Sequence, residues 1–117
     1  MNNQGKAAEQ AALQWLTAQK MTLITCNYQC RFGEIDLIML HGDTLVFIEV
    51  RLRASNRFGG AALSVTQAKQ RKIITTANHF LMCNSKYSLH NCRFDVLAFE
   101  SNTAKLSPMW YKDAFRL

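Results

Sequence analysis

Hydrophobic positions change period several times along the chain. Ala8, Ala11, Ala12, Trp15 and Leu16 recur at spacings of three and four, a single apolar stripe that predicts a helix over 4–19. Ala, Gln, Glu and Leu, all strong helix formers, fill the positions around it. Residues 21–28, Met-Thr-Leu-Ile-Thr-Cys-Asn-Tyr, then read as a first strand, and 29–33 as a connection ending at Gly33. Residues 34–40 predict a second strand and 45–53 a third. Between them His41-Gly42-Asp43-Thr44 carries turn chemistry, which makes the two a hairpin.

After a loop over 54–62, Ser64-Val65-Thr66-Gln67 has the spacing of a capping box, with Ser64 as the cap. It predicts a helix reaching about Met82 that buries Ala68, Ile73, Ala77, Phe80 and Leu81. Residues 92–99 predict a further strand. A fifth, short strand is expected near 109–111, entered at Pro108, with Ala114-Phe115 packing as a tail. The order is α-β-β-β-α-β(-β). The connection from the third strand through the long helix is a crossover, so it joins a parallel pair. The expected fold class is α/β, a mixed sheet flanked by helices. With no linker or repeat, residues 1–117 are expected to form one domain.

Composition narrows the function classes. Hydrophobic residues make up 49% of the chain, which excludes disorder, and no apolar run approaches the ~20 residues of a membrane span. The first residues show no secretory signal, and four cysteines do not make a disulfide scaffold, so a reducing cytoplasm is expected. Cys26 and Cys30 are spaced C-x3-C, and Cys83 and Cys92 are farther apart, which argues against a zinc site. Cys26 and Cys92 read instead as small core residues. The net charge is +6, and its excess is local: residues 49–72 hold Arg51, Arg53, Arg57, Lys69, Arg71 and Lys72 against Glu49 alone. Such a cluster is the footprint of a polyanion partner, unless it is merely a solvated face.

The acids beside that cluster alter its meaning. Glu34 and Asp36 share one face of the second strand, and Glu49, Arg51 and Arg53 share one face of the third. Pairing Leu40 with Leu45 across the turn sets Asp36 opposite Glu49, with Cβ atoms about 5 Å apart. Two carboxylates that close need a cation between them. A hard divalent ion that keeps several waters, Mg²⁺ above all, suits an all-oxygen pair. Taken alone, the same acids also serve as charges that block edge pairing, and Glu9, Lys69 and Lys72 as solvated helix positions.

Asp36 followed by Glu49-Val50-Arg51 resembles the Asp…Glu-x-Lys signature of the PD-(D/E)xK nuclease superfamily, the restriction-endonuclease-like fold. A wider match takes in Gly33-Glu34-Ile35-Asp36-Leu37-Ile38, Val46-Phe47-Ile48-Glu49-Val50-Arg51-Leu52-Arg53, Phe58-Gly59 and Arg93-Phe94-Asp95-Val96. Together with the N-terminal helix carrying Glu9, these runs closely resemble the YraN family of uncharacterised bacterial proteins, over nearly the whole chain. That family is similar in fold to archaeal Holliday-junction resolvases. The resemblance implies a metal-dependent nuclease acting on DNA, with branched or junction structures as candidate substrates. It makes Asp36 and Glu49 catalytic metal ligands for Mg²⁺ or Mn²⁺, adds Glu9 from the first helix, and sets Glu34 behind them. Arg51 stands where the superfamily has Lys. Arginine stays protonated and binds phosphate through a planar fork, so its role here is charge stabilisation. Arg53, Arg57, Lys69, Arg71 and Lys72 would hold flanking phosphates. A two-fold dimer would suit a junction. Two other readings stay open: a non-catalytic nucleic-acid-binding module with the same fold, motivated by Arg51, and a domain whose basic face meets an acidic protein.

Overall fold

A computed structural model of the chain describes residues 3–53, 65–100 and 108–116. Helix α1 spans Asn3–Ala18, and strands β1, β2 and β3 span Thr22–Cys30, Gly33–His41 and Thr44–Arg53. Helix α2 spans Gln67–Cys83, followed by β4 at Asn91–Glu100 and β5 at Met109–Phe115. The strands form one open sheet in the order β1-β2-β3-β4-β5. Every neighbouring pair is antiparallel except β3 and β4, which run parallel across the α2 crossover. The element order is the one the sequence predicts.

The three interior strands are apolar on both faces because each face carries a helix. Ala8, Ala12 and Leu16 of α1 pack on Leu37, Met39, Val46, Ile48, Leu97 and Phe99. On the other face, Ile73, Ile74, Ala77 and Phe80 of α2 pack on Ile38, Leu45, Phe47, Val96 and Ala98. Val46 and Ile48 alternate with Leu45 and Phe47, so the period of two along β3 divides the sheet between the helices. No helix among the described residues is long and apolar enough to cross a membrane.

The β2–β3 hairpin has the register that its turn predicts, with His41 opposite Thr44, Leu40 opposite Leu45, and so on to Leu37 opposite Ile48. Gly42 takes φ 64° in the two-residue turn, a conformation that glycine adopts without a Cβ penalty. The β1–β2 connection is shorter than expected. β1 runs on to Cys30, which leaves only Arg31 and Phe32 before β2. Gly33 follows at φ 150°, where a Cβ would come within 3.2 Å of Thr76 Oγ1. Glycine therefore lets this turn lie against α2.

Several expectations are corrected. The cap of α2 is Thr66, whose hydroxyl accepts the Lys69 N–H at 3.2 Å. Ser64 lies outside the described residues, and Gln67 begins the helix instead of closing a box. Ala68 is exposed because the first turn of α2 overhangs a cleft and not the core. Cys26 and Cys92 are exposed, not buried. Cys26 sits on the edge strand β1, and Cys92 lies at the start of β4. The fifth strand reaches Phe115, so the predicted tail is part of the sheet, with Phe115 opposite Phe94.

One acid is built into the structure. Asp95 is 1% exposed and accepts four hydrogen bonds. Arg93 grips it with Nε on Oδ1 and Nη2 on Oδ2, both at 2.9 Å. Trp110 Nε1 donates to Oδ2 and the Asp113 N–H to Oδ1, again at 2.9 Å. These last two donors come from β5, so the carboxylate fastens the edge strand to the sheet. Trp110 in turn stands edge-on to Trp15 of α1, with ring centroids 5.6 Å apart.

Candidate active site

The hairpin ladder brings Asp36 and Glu49 together. Both lie one step beyond the Leu37–Ile48 pair, towards the carboxyl end of β3. There the Val50 N–H donates to Asp36 Oδ2 at 2.8 Å. Burial, followed by the charge of Glu49, pushes the Asp36 carboxyl up to about 7; the Val50 bond opposes the rise, and Glu9 adds to it. Glu49 is itself only 7% exposed.

Helix α2 supplies cations to this pair. Lys69 Nζ lies 2.9 Å from Glu49 Oε2, while Arg51 Nη2 approaches the same oxygen at 3.6 Å. The Thr66 cap fixes the first turn of α2 from which Lys69 reaches across. Arg51 is held differently. Its Nε is buried and has no hydrogen-bond partner among the described residues. A buried donor without an acceptor carries a desolvation cost that an anionic ligand would relieve.

These groups line one cleft of about 530 Å³. Glu9 borders it from α1, Glu34 and Asp36 from β2, Glu49 and Arg51 from β3, and Lys69 and Lys72 from α2. That volume lies within the ordinary range for ligand sites. Glu34 is exposed at the rim, where its Oε2 accepts from Gln29 Nε2 of β1 at 3.2 Å. Arg71 is exposed and lies outside the cleft, on an adjoining surface depression. Arg53 ends β3, but its side chain, and the whole of Arg57, fall outside the described residues.

The donor set favours one kind of cation. Among the described residues, no three His, Cys, Asp or Glu side chains are grouped to enclose a metal. Asp36 and Glu49 are a carboxylate pair, which suits magnesium or manganese, ions that retain water and need only one or two protein carboxylates. Tetrahedral zinc, with its nitrogen and sulfur ligands, does not fit.

Two features of the cleft lay beyond sequence reasoning. Lys69 had the pattern of a solvated or phosphate-binding residue, and only the crossover shows that it meets Glu49. The unpartnered Nε of Arg51 depends on burial, which no spacing rule reveals.

The family model for the uncharacterised protein family UPF0102 matches residues 8–99. The chain belongs to UPF0102. It is 50% identical over 115 residues to a UPF0102 protein of Psychromonas ingrahamii, covering 98% of this chain and 91% of that one. A UPF0102 protein of Nitrosomonas europaea is 50% identical over 113 residues, covering 97% and 93%. One from Saccharophagus degradans is 49% identical over 116 residues, covering 99% and 95%. UPF0102 is the family whose resemblance the Glu34–Asp36 and Glu49–Arg53 runs carry under the name YraN. The relatives match at almost full length, so the site described here lies inside the shared domain.

Proposed function

We propose that this UPF0102 protein hydrolyses phosphodiester bonds of DNA with a divalent cation held by Asp36 and Glu49. One observation carries the reading: a cation-seeking carboxylate pair and the unsatisfied, anion-seeking Nε of Arg51 share a single cleft. A phosphate ester with its metal ion meets both demands at once. Magnesium bound there would act as a Lewis acid on the phosphoryl group and lower the pKa of an attacking water.

The protein's own groups perform the remaining tasks. Asp36 and Glu49 fix the position of the cation. Glu34 and Glu9 stand at the rim and hold the field around it negative. Arg51 donates through Nε to a phosphoryl oxygen and stabilises charge as it develops in the transition state. Lys69 reaches the carboxylate pair from α2, beside Glu49. It can orient a water or neutralise a non-bridging oxygen. Lys72 holds a flanking phosphate at the mouth of the cleft, and Arg71 another just outside it.

One feature favours the binding-module alternative. The Lys69 and Arg51 contacts already neutralise Glu49 without a metal. The experiment separates the two readings. End-labelled four-way junction, flap, linear duplex and single strand are incubated with Mg²⁺, Mn²⁺ or EDTA, beside Asp36→Ala and Glu49→Ala proteins prepared identically. Metal-dependent cutting by the wild type alone is the expected result. Tight binding without cutting would transfer the proposal to the binding module. Equal cutting by the variants would remove both acids from the site.

A further inference from the structure

Beside the cleft lies a second feature that the phosphodiester chemistry does not use. Phe32, in the two-residue turn between β1 and β2, is 39% exposed. A lone exposed phenylalanine needs no explanation. This one has unusual surroundings. The ring forms one wall of a depression of about 330 Å³, whose other walls are Ala68, Arg71, Lys72 and Thr75 of α2. Arg31 places its guanidinium carbon 4.8 Å from the ring centroid. Three cations therefore surround one aromatic surface. The depression is also continuous with the cleft, since Ala68 and Lys72 line both.

The ring is held in place. Gly33 lets the turn lie against α2, where a Cβ would meet Thr76 Oγ1 at 3.2 Å. His79 of α2 meets Phe32 edge-on, with centroids 6.2 Å apart. A fixed aromatic ring ringed by Arg and Lys has the elements of a base-stacking platform, because every base offers a π-face and every nucleotide a phosphate. In a continuous duplex the base faces are already stacked on each other and cannot reach such a ring.

Resting on the phosphodiesterase reading above, we infer that Phe32 stacks a DNA base that has left the helical stack, with Arg31, Arg71 and Lys72 holding its phosphates. The substrate class is then DNA with an unstacked nucleotide close to the scissile bond. Phe32 lies four residues from Asp36, roughly 13 Å along an extended strand. That span corresponds to no more than about four nucleotide steps at 3.4 Å each. The Arg31 guanidinium now over the ring does not oppose this. At an exposed ring such a contact is weaker than base stacking, and Arg31 has a phosphate to turn to.

The test measures binding by fluorescence anisotropy in EDTA, so that no cutting intervenes. The probes are a fully paired DNA duplex, the same duplex with one unpaired central adenine, and a third with an abasic residue at that position. The wild type is expected to prefer the unpaired adenine over the paired duplex about ten-fold or more, as one stacked base confers. Phe32→Ala should lose that preference while keeping wild-type affinity for the paired duplex, and Phe32→Trp should keep it. The abasic probe should behave towards the wild type as the adenine probe does towards Phe32→Ala. Equal wild-type affinity for paired and unpaired probes, or equal losses on both in Phe32→Ala, would overturn the platform and leave the cleft chemistry standing. A preference that depends on Phe32, in a protein that cuts nothing with Mg²⁺, would uphold the platform and remove the phosphodiesterase reading. No binding to any probe would remove both.

Discussion

Asp36 and Asp95 are acids of the same sheet treated in opposite ways. Asp95 pairs with Ile48 in the β3–β4 ladder and lies on the α1 side with Trp110. Asp36 pairs off beside Glu49, on the side where Lys69 arrives from α2. Asp95 receives four hydrogen bonds, two of them from an arginine in bidentate geometry. Asp36 receives the Val50 N–H and faces another carboxylate, and burial with that neighbour pushes its carboxyl up to about 7. A buried charge whose acceptor capacity is filled acts as a fastener. One left beside a like charge stores unfavourable energy that a bound cation releases.

Substitution at the two positions should therefore change stability with opposite signs. Asp95→Ala leaves Arg93, the Trp110 N–H and the Asp113 N–H without their acceptor, and should cost roughly 3–5 kcal/mol in urea unfolding. Asp36→Asn keeps an oxygen for the Val50 N–H but removes the repulsion, and at pH 8 in EDTA it should stabilise the fold by about 1–3 kcal/mol. If both variants destabilise alike, Asp36 is a structural acid too and the contrast disappears.

The pH dependence sharpens the same point. The folded protein holds the Asp36 proton up to about 7, whereas an unfolded chain releases it near the ordinary aspartate value of 3.8. Between those values the native state binds the extra proton, so the contribution of Asp36 to stability falls as pH rises, and it levels off above about 7. Unfolding of wild type and Asp36→Asn at pH 5 and pH 8 should show the variant's advantage growing with pH. An advantage that stays constant would mean that the folded protein does not hold the Asp36 proton above the ordinary aspartate range.

Two smaller effects concern the elements that hold the sites. Gly33→Ala forces a Cβ towards Thr76 at a positive φ and should cost about 1 kcal/mol or more. A neutral result would mean that the turn is not held against α2. Lys72→Ala should reduce the salt dependence of DNA binding by about one unit of slope. Lys69→Ala should change that slope less, because Glu49 already occupies its charge at 2.9 Å. Equal changes would make both lysines simple phosphate contacts.

Much of the acidic half of the site was legible in the sequence. The turn at Gly42-Asp43 fixes the pairing of Leu40 with Leu45, and from there the period of two places Asp36 beside Glu49 without further information. The cationic half was not. Lys69 reaches Glu49 through a crossover whose path no local pattern specifies. Asp95 was visible only as part of an Arg-Phe-Asp-Val run, since two of its four hydrogen bonds come from β5, beyond residues 101–107. Cys26 misled for a related reason. A strand pattern shows which positions alternate but not whether the strand lies at an edge, and β1 does.

The strictly sequential strand order also bears on how the protein assembles. Asp36 and Glu49 belong to one hairpin with a two-residue turn, so their contact closes a short loop, at the microsecond pace of hairpin formation. Lys69 and Lys72 arrive only when the β3–α2–β4 crossover docks, a long-range event that topology makes slow. The hairpin alone thus sets the carboxylate pair beside Arg51, and the two lysines join the cleft later. A divalent ion present in that interval would meet the two carboxylates before their lysine does.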